Sequence, residues 1–138
     1  MTIRGTYVLY SIVIYGEEAR VDAWTAEEEK EVMDGHDEFR RRMVAAGQLG
    51  PVFRLNSHGT RTVRRYADRK FVTDGPFAET KEQLLGIYVV DCPTFEDAVA
   101  ATELLNFETG VFEITPVTWL DPGSLPAMVP DAGKHPRK

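Results

Sequence analysis

The chain has 138 residues, 43% of them hydrophobic and 28% charged, with a formal net charge of −6. That is enough for one domain with a real core, too apolar for a disordered segment and too acidic for a general nucleic-acid binder. The single cysteine, Cys92, excludes an internal disulfide and suits a reducing cytoplasm. No apolar run approaches the ~20 residues of a membrane span, so a cytoplasmic domain with no membrane partner is expected.

In chain order, Tyr7 to Tyr15 is rich in β-branched and aromatic residues and ends at Gly16. Its near-continuous apolar character predicts a central strand covered on both faces. It is too short, and lacks the basic leader, for a signal peptide. Glu17 to Trp24 reads as a connection. Thr25-Ala26-Glu27-Glu28 has the capping-box pattern and opens a helix to about Ala46, with Gly47 ending it. On that helix Val32, His36, Phe39, Met43 and Ala46 share one stripe, while Gly35 costs up to ~1 kcal/mol relative to Ala.

Pro51 to Leu55 predicts a second strand, Asn56 to Gly59 a turn, Thr60 to Tyr66 a polar edge strand and Lys70 to Thr73 a short fourth piece. Leu84 to Asp91 is a strong apolar strand. Thr94-Phe95-Glu96-Asp97 caps a second helix through Leu105, and Val111 to Thr115 is the last strand. The tail, residues 121–138, holds Pro122, Pro126, Pro130 and Pro136 and reads as an extended or disordered arm beyond a domain at 1–120. The order β-α-β-β-turn-β-α-β predicts an α+β, ferredoxin-like split βαβ fold. An apolar first strand leaves one sheet face to cover, which a homodimer stacking two sheets would do, with a ligand cavity near the interface.

Between the fourth and fifth strands lies Asp74-Gly75-Pro76-Phe77. Gly75 tolerates a positive φ and Pro76 fixes its own, so the tripeptide is either an Asx-type turn or an acid held at the rim of a pocket. His36, on an apolar stripe, is either a core-edge imidazole or a general acid/base. Tyr15, Tyr88 and Glu113 are polar-tipped strand residues that can be structural or line a pocket. Arg54, Arg61, Arg64, Arg65, Arg69 and Lys70 make the centre basic, either as a charged edge or to steer an anionic small molecule. His36, His58 and His135 have no metal-ligand spacing, and no phosphate-binding or nucleophile-elbow motif occurs, so neither metal nor cofactor is expected.

The run Thr73-Asp74-Gly75-Pro76-Phe77-Ala78-Glu79-Thr80-Lys81-Glu82-Gln83-Leu84 resembles the signature of the DGPF subgroup of the YCII-related family. Supporting pieces are Ile14 to Glu18, His36 with Phe39, Gly86 to Asp91, and Val111 to Val117 with Glu113. The resemblance implies a dimeric α/β-barrel and a His/Asp site in a cleft. Some relatives are lyases or isomerases on small aromatic or lactone-like compounds. Carried over by position, His36 and Asp74 are the candidate catalytic pair, with Tyr15, Phe77, Tyr88 and Glu113 around a small-molecule substrate. Leu85, Thr115 and Leu105 to Glu108 depart from the family pattern; Thr115 stands where an arginine is common, and if that arginine binds an anion in relatives, a different ligand is expected here. The two functions expected are a cofactor-free acid–base enzyme and a non-catalytic ligand-binding or interaction domain.

Overall fold

A computed structural model describes residues 8–105 and 110–127. The expected strand start at Tyr7, the segment Asn106 to Glu108, and Pro130, His135 and Pro136 of the tail lie outside the described residues. The elements are β1 (Leu9–Gly16), α1 (Glu18–Asp22), α2 (Ala26–Ala45), β2 (Leu49–Arg54), β3 (Arg61–Tyr66), β4 (Arg69–Asp74), β5 (Gln83–Asp91), α3 (Phe95–Ala101) and β6 (Val111–Pro116). Short 3-10 turns stand at Ser57–Gly59 and Thr102–Leu104.

Four strands form one antiparallel sheet in the order β2-β5-β1-β6. Because β5 is antiparallel to both β1 and β2, those two run the same way with β5 between them, joined through α2. This is the split βαβ arrangement, and the architecture is α+β, compatible with a ferredoxin-like fold. Strands β3 and β4 do not join this sheet; they pair only with each other, from Arg61↔Asp74 to Tyr66↔Arg69. The expected run of strands thus divides into a main sheet and a separate hairpin inserted between β2 and β5. The reason is chemical. Five cations and few apolar side chains on β3 and β4 cannot face a core, and Val63, Tyr66, Phe71 and Val72 all stay exposed.

Burial along β1 alternates strictly, with Tyr10, Ile12 and Ile14 inside and Leu9, Ser11, Val13 and Tyr15 half-buried. The inward residues, with Tyr88, Val90 and Ile114, pack against Phe39 and Met43 of α2 and Ala98 and Ala101 of α3. So one face of β1 lies in the core, and the other, half-buried, is the face expected to need cover from outside the chain.

The start of α2 follows the predicted capping box: the Glu28 N–H donates to Thr25 Oγ1 and the Thr25 N–H donates to Glu28 Oε1, both at 3.1 Å. Gly47 ends the helix at φ +69°. Gly35 is explained by packing. A Cβ there would stand 2.7 Å from the carbonyl oxygen of Leu104, so the glycine lets α2 and the 102–104 turn touch backbone to backbone. The second helix is shorter than expected. Thr102 Oγ1 donates to the Val99 carbonyl at 2.7 Å, a local bond that competes with continuation of the helix. The expected connection after β1 contains the short helix α1, whose Glu18 N–H donates to Gln83 Oε1 at 2.9 Å. No helix among the described residues is long and apolar enough to cross a membrane.

Candidate acid–base site

His36 lies in the middle of α2, on the stripe that carries Phe39 and Met43 onto the sheet. Beneath it on β5 is Tyr88, 3% exposed, whose ring packs on Phe39 with centroids 4.5 Å apart. His36 Nδ1 and the Tyr88 hydroxyl are 2.7 Å apart. With Nδ1 unprotonated the phenol donates to it; in the other tautomer the Nδ1–H donates to the phenol oxygen.

The electrostatics keep both partners neutral. Burial lowers the His36 pKa from 6.5 to about 4; the Arg40 and Arg54 charges act in the same direction and Asp37 opposes them. Burial also raises the Tyr88 phenol above its ordinary value, with Arg40 opposing. Arg40 is itself ion-paired to Asp37 one turn back on α2. An uncharged imidazole against an uncharged phenol, with two guanidinium groups near, can accept a proton, donate one or polarise a carbonyl.

The other expected site residues fall elsewhere. Asp74 ends β4 and its side chain is 96% exposed, 3.6 Å from Arg61 Nε. Among the described residues its carboxylate makes no hydrogen bond to the turn, so the Asx reading gives way. The turn is held by Gly75 instead, at φ +87°. The Gly75 N–H donates to the Thr60 carbonyl and the Thr62 hydroxyl donates to the Gly75 carbonyl, both at 2.7 Å. Arg64 donates to the Phe77 carbonyl at 2.8 Å, while the Phe77 side chain is 76% exposed. Tyr15 and Glu113 meet across β1 and β6, the Tyr15 hydroxyl donating to Glu113 Oε1 at 3.5 Å. By register they belong to the sheet face opposite Tyr88: Ile12 pairs with Tyr88, and Tyr15 and Val13 point the other way from Ile12 and Ile14.

The structure therefore brings His36 and Tyr88 together, brings Tyr15 and Glu113 together on the other face, and leaves Asp74 and Phe77 on the surface near the hairpin. Arg40 and Arg54 were missed as neighbours of the imidazole. Spacing held a signal for the first: residues 36 and 40 are one helical turn apart, so Arg40 shares His36's side of α2. No such signal exists for Arg54, which comes from a different strand.

A shallow cavity of about 430 Å³ lies between α2 and α3, lined by Met43, Gln48, Cys92, Pro93 and Leu104 among others; none of the six expected site residues lines it. Cys92 is buried there, and burial raises its thiol pKa, in keeping with a structural role. Among the described residues no group of three or more His, Cys, Asp or Glu is placed to hold a metal ion.

The chain is thus an antiparallel α+β domain with a helix-borne His against a strand-borne Tyr. Comparison with known proteins gives the family. Residues 8–121 match the YCII-related domain, and the chain belongs to that family. It is 42% identical over 124 residues to an uncharacterized protein of Rhizobium meliloti (strain 1021), covering 87% of this chain and 100% of that protein.

Proposed function

We propose that the protein is a small enzyme of lyase or isomerase type, moving a proton on a small organic substrate with His36 as general acid/base. The observation that carries this reading is the 2.7 Å contact between His36 Nδ1 and the Tyr88 hydroxyl, with an imidazole held neutral to about pH 4. Such a pair needs no cofactor to shuttle a proton. Tyr88 orients the ring; Asp74 and Phe77 would join this site only from a second copy, and Tyr15 with Glu113 would line a pocket on the opposite sheet face.

Among the described residues Asp74 reaches no imidazole, which fits an arrangement completed by a second copy. The sheet face turned away from the helices supports such a homodimer. It carries Val13 and Ile87 half-buried, with Phe53 49% and Val111 47% exposed, a surface that stacking two barrel halves would remove from water. The buried lone thiol of Cys92 supports a reducing, cytoplasmic location.

The test is proton exchange. In D2O, with a panel of small lactones, phenols and carbonyl compounds, NMR should reveal solvent deuterium entering a substrate C–H. His36→Gln should reduce that rate by roughly 100-fold or more. If compounds bind and none exchanges, or if His36→Gln exchanges as fast as the parent, the protein is a ligand-binding domain. The exposure of Asp74 favours that second reading as far as a single chain goes.

A further inference from the structure

We propose that the ligand of the His36–Tyr88 pair is a small organic carboxylate, and that Arg54 receives its charge. The proposal rests on the acid–base reading and specifies the substrate class for the same site. The geometry comes from the β2–β5 ladder. Val52 pairs with Tyr88 and Arg54 pairs with Gly86, so Arg54 and Tyr88 stand on the helix-facing side of the sheet, one step apart. On β1, Ile14 pairs with Gly86 from the other side.

Gly86 carries no side chain in the middle of that row, between Ile14 and Arg54 and beside Tyr88, and β2 closes on it backbone to backbone. The backbone needs a glycine there, since a Cβ would stand 2.8 Å from the Phe53 carbonyl oxygen and 3.5 Å from Arg54 Cα. The same close approach holds the backbone of β2 at Arg54 against β5 beside Tyr88.

The two guanidinium groups near His36 are not equivalent. Arg40 is held by Asp37, whereas Arg54 makes no ion pair among the described residues. The imidazole and phenol carry no charge to balance it, and Arg54 is among the charges that hold the imidazole pKa down. A bare planar fork beside a neutral proton-transfer pair suits a carboxylate, which it can bind through two parallel hydrogen bonds. A bound carboxylate would also cancel the positive field on His36 and raise its pKa.

The experiment titrates His36 by NMR on protein labelled in its histidines, with benzoate and with its uncharged counterpart benzamide. Benzoate should shift the His36 signals saturably and raise its pKa; benzamide should not. Arg54→Gln should weaken benzoate by roughly tenfold or more, and Arg54→Lys by less, because an ammonium restores charge without the fork. Arg54 is exposed, so both variants are expected to keep the fold, checked by circular dichroism. If benzamide acts as benzoate does, or Arg54→Gln binds benzoate unchanged, the carboxylate proposal fails and the acid–base reading stands. If neither compound reaches His36 in the parent protein, the proposal is overturned and the acid–base reading loses its ligand site with it.

Discussion

His36 is the residue whose protonation couples the site to the stability of the whole chain. Its pKa is about 4 when folded and 6.5 as the ordinary value, so between those limits the unfolded chain binds more protons than the folded one. The stability that this residue contributes is complete above pH 6.5 and is lost as pH falls to about 4. At about 1.4 kcal/mol per unit, the loss is on the order of 3 kcal/mol. Chemical denaturation at several pH values should show that decline in the parent and a flatter profile in His36→Gln; parallel profiles would show that the imidazole is not desolvated. The sequence made His36 conspicuous, because an imidazole on an apolar stripe is legible from periodicity alone. Its partner was not legible. Tyr88 is separated from it by 52 residues, and only the packing of α2 onto β5 brings the two together.

Among the elements, α2 both holds His36 and packs on the sheet through Phe39 and Met43. Its start was written in Thr25 and Glu28, where local chemistry decides the structure, and there expectation and structure agree. Gly35 reads in sequence as a weakness and in the structure as a contact. Replacing it with Ala gains up to ~1 kcal/mol of helix propensity but drives a methyl into the Leu104 carbonyl, and overpacking costs ~1–3 kcal/mol. A backbone oxygen cannot swing aside as a flexible side chain can, so the net effect of Gly35→Ala is a loss of about 1–2 kcal/mol. Thermal unfolding should register a fall of several degrees, and the neighbouring His36 should shift in NMR spectra. An unchanged or raised midpoint would mean that α2 and the 102–104 turn are free to separate. The hairpin was the least legible element. Each of β3 and β4 reads correctly as a strand, but pairing partners depend on which faces must be buried, and polar strands carry little of that information.

For the whole molecule, the split βαβ order followed from the alternation of strand and helix signals, and the sheet order confirms it. The periodicity of β1 left one face to be accounted for outside the single chain. A nearly continuous apolar strand predicted cover on both faces, whereas the chain by itself buries only the Tyr10–Ile12–Ile14 side deeply. The proposed homodimer accounts for the half-buried face and can be checked directly. Light scattering should give twice the chain mass for the parent. A charge at the centre of the open face, Val13→Glu, should give the single-chain mass with circular dichroism unchanged. A monomeric parent would remove the homodimer, and with it any role for Asp74 in a partner's site.

The β3–β4 hairpin has a practical consequence. Its strands bond to each other and meet at Ala67-Asp68, where Ala67 already takes a positive φ of 53°. The tip is the end of the hairpin farthest from the Gly75 turn. An epitope or fluorophore grafted between Ala67 and Asp68 would report on the protein in a living cell without crossing the main sheet, touching α2 or interrupting the Asp74-Gly75-Pro76-Phe77 corner.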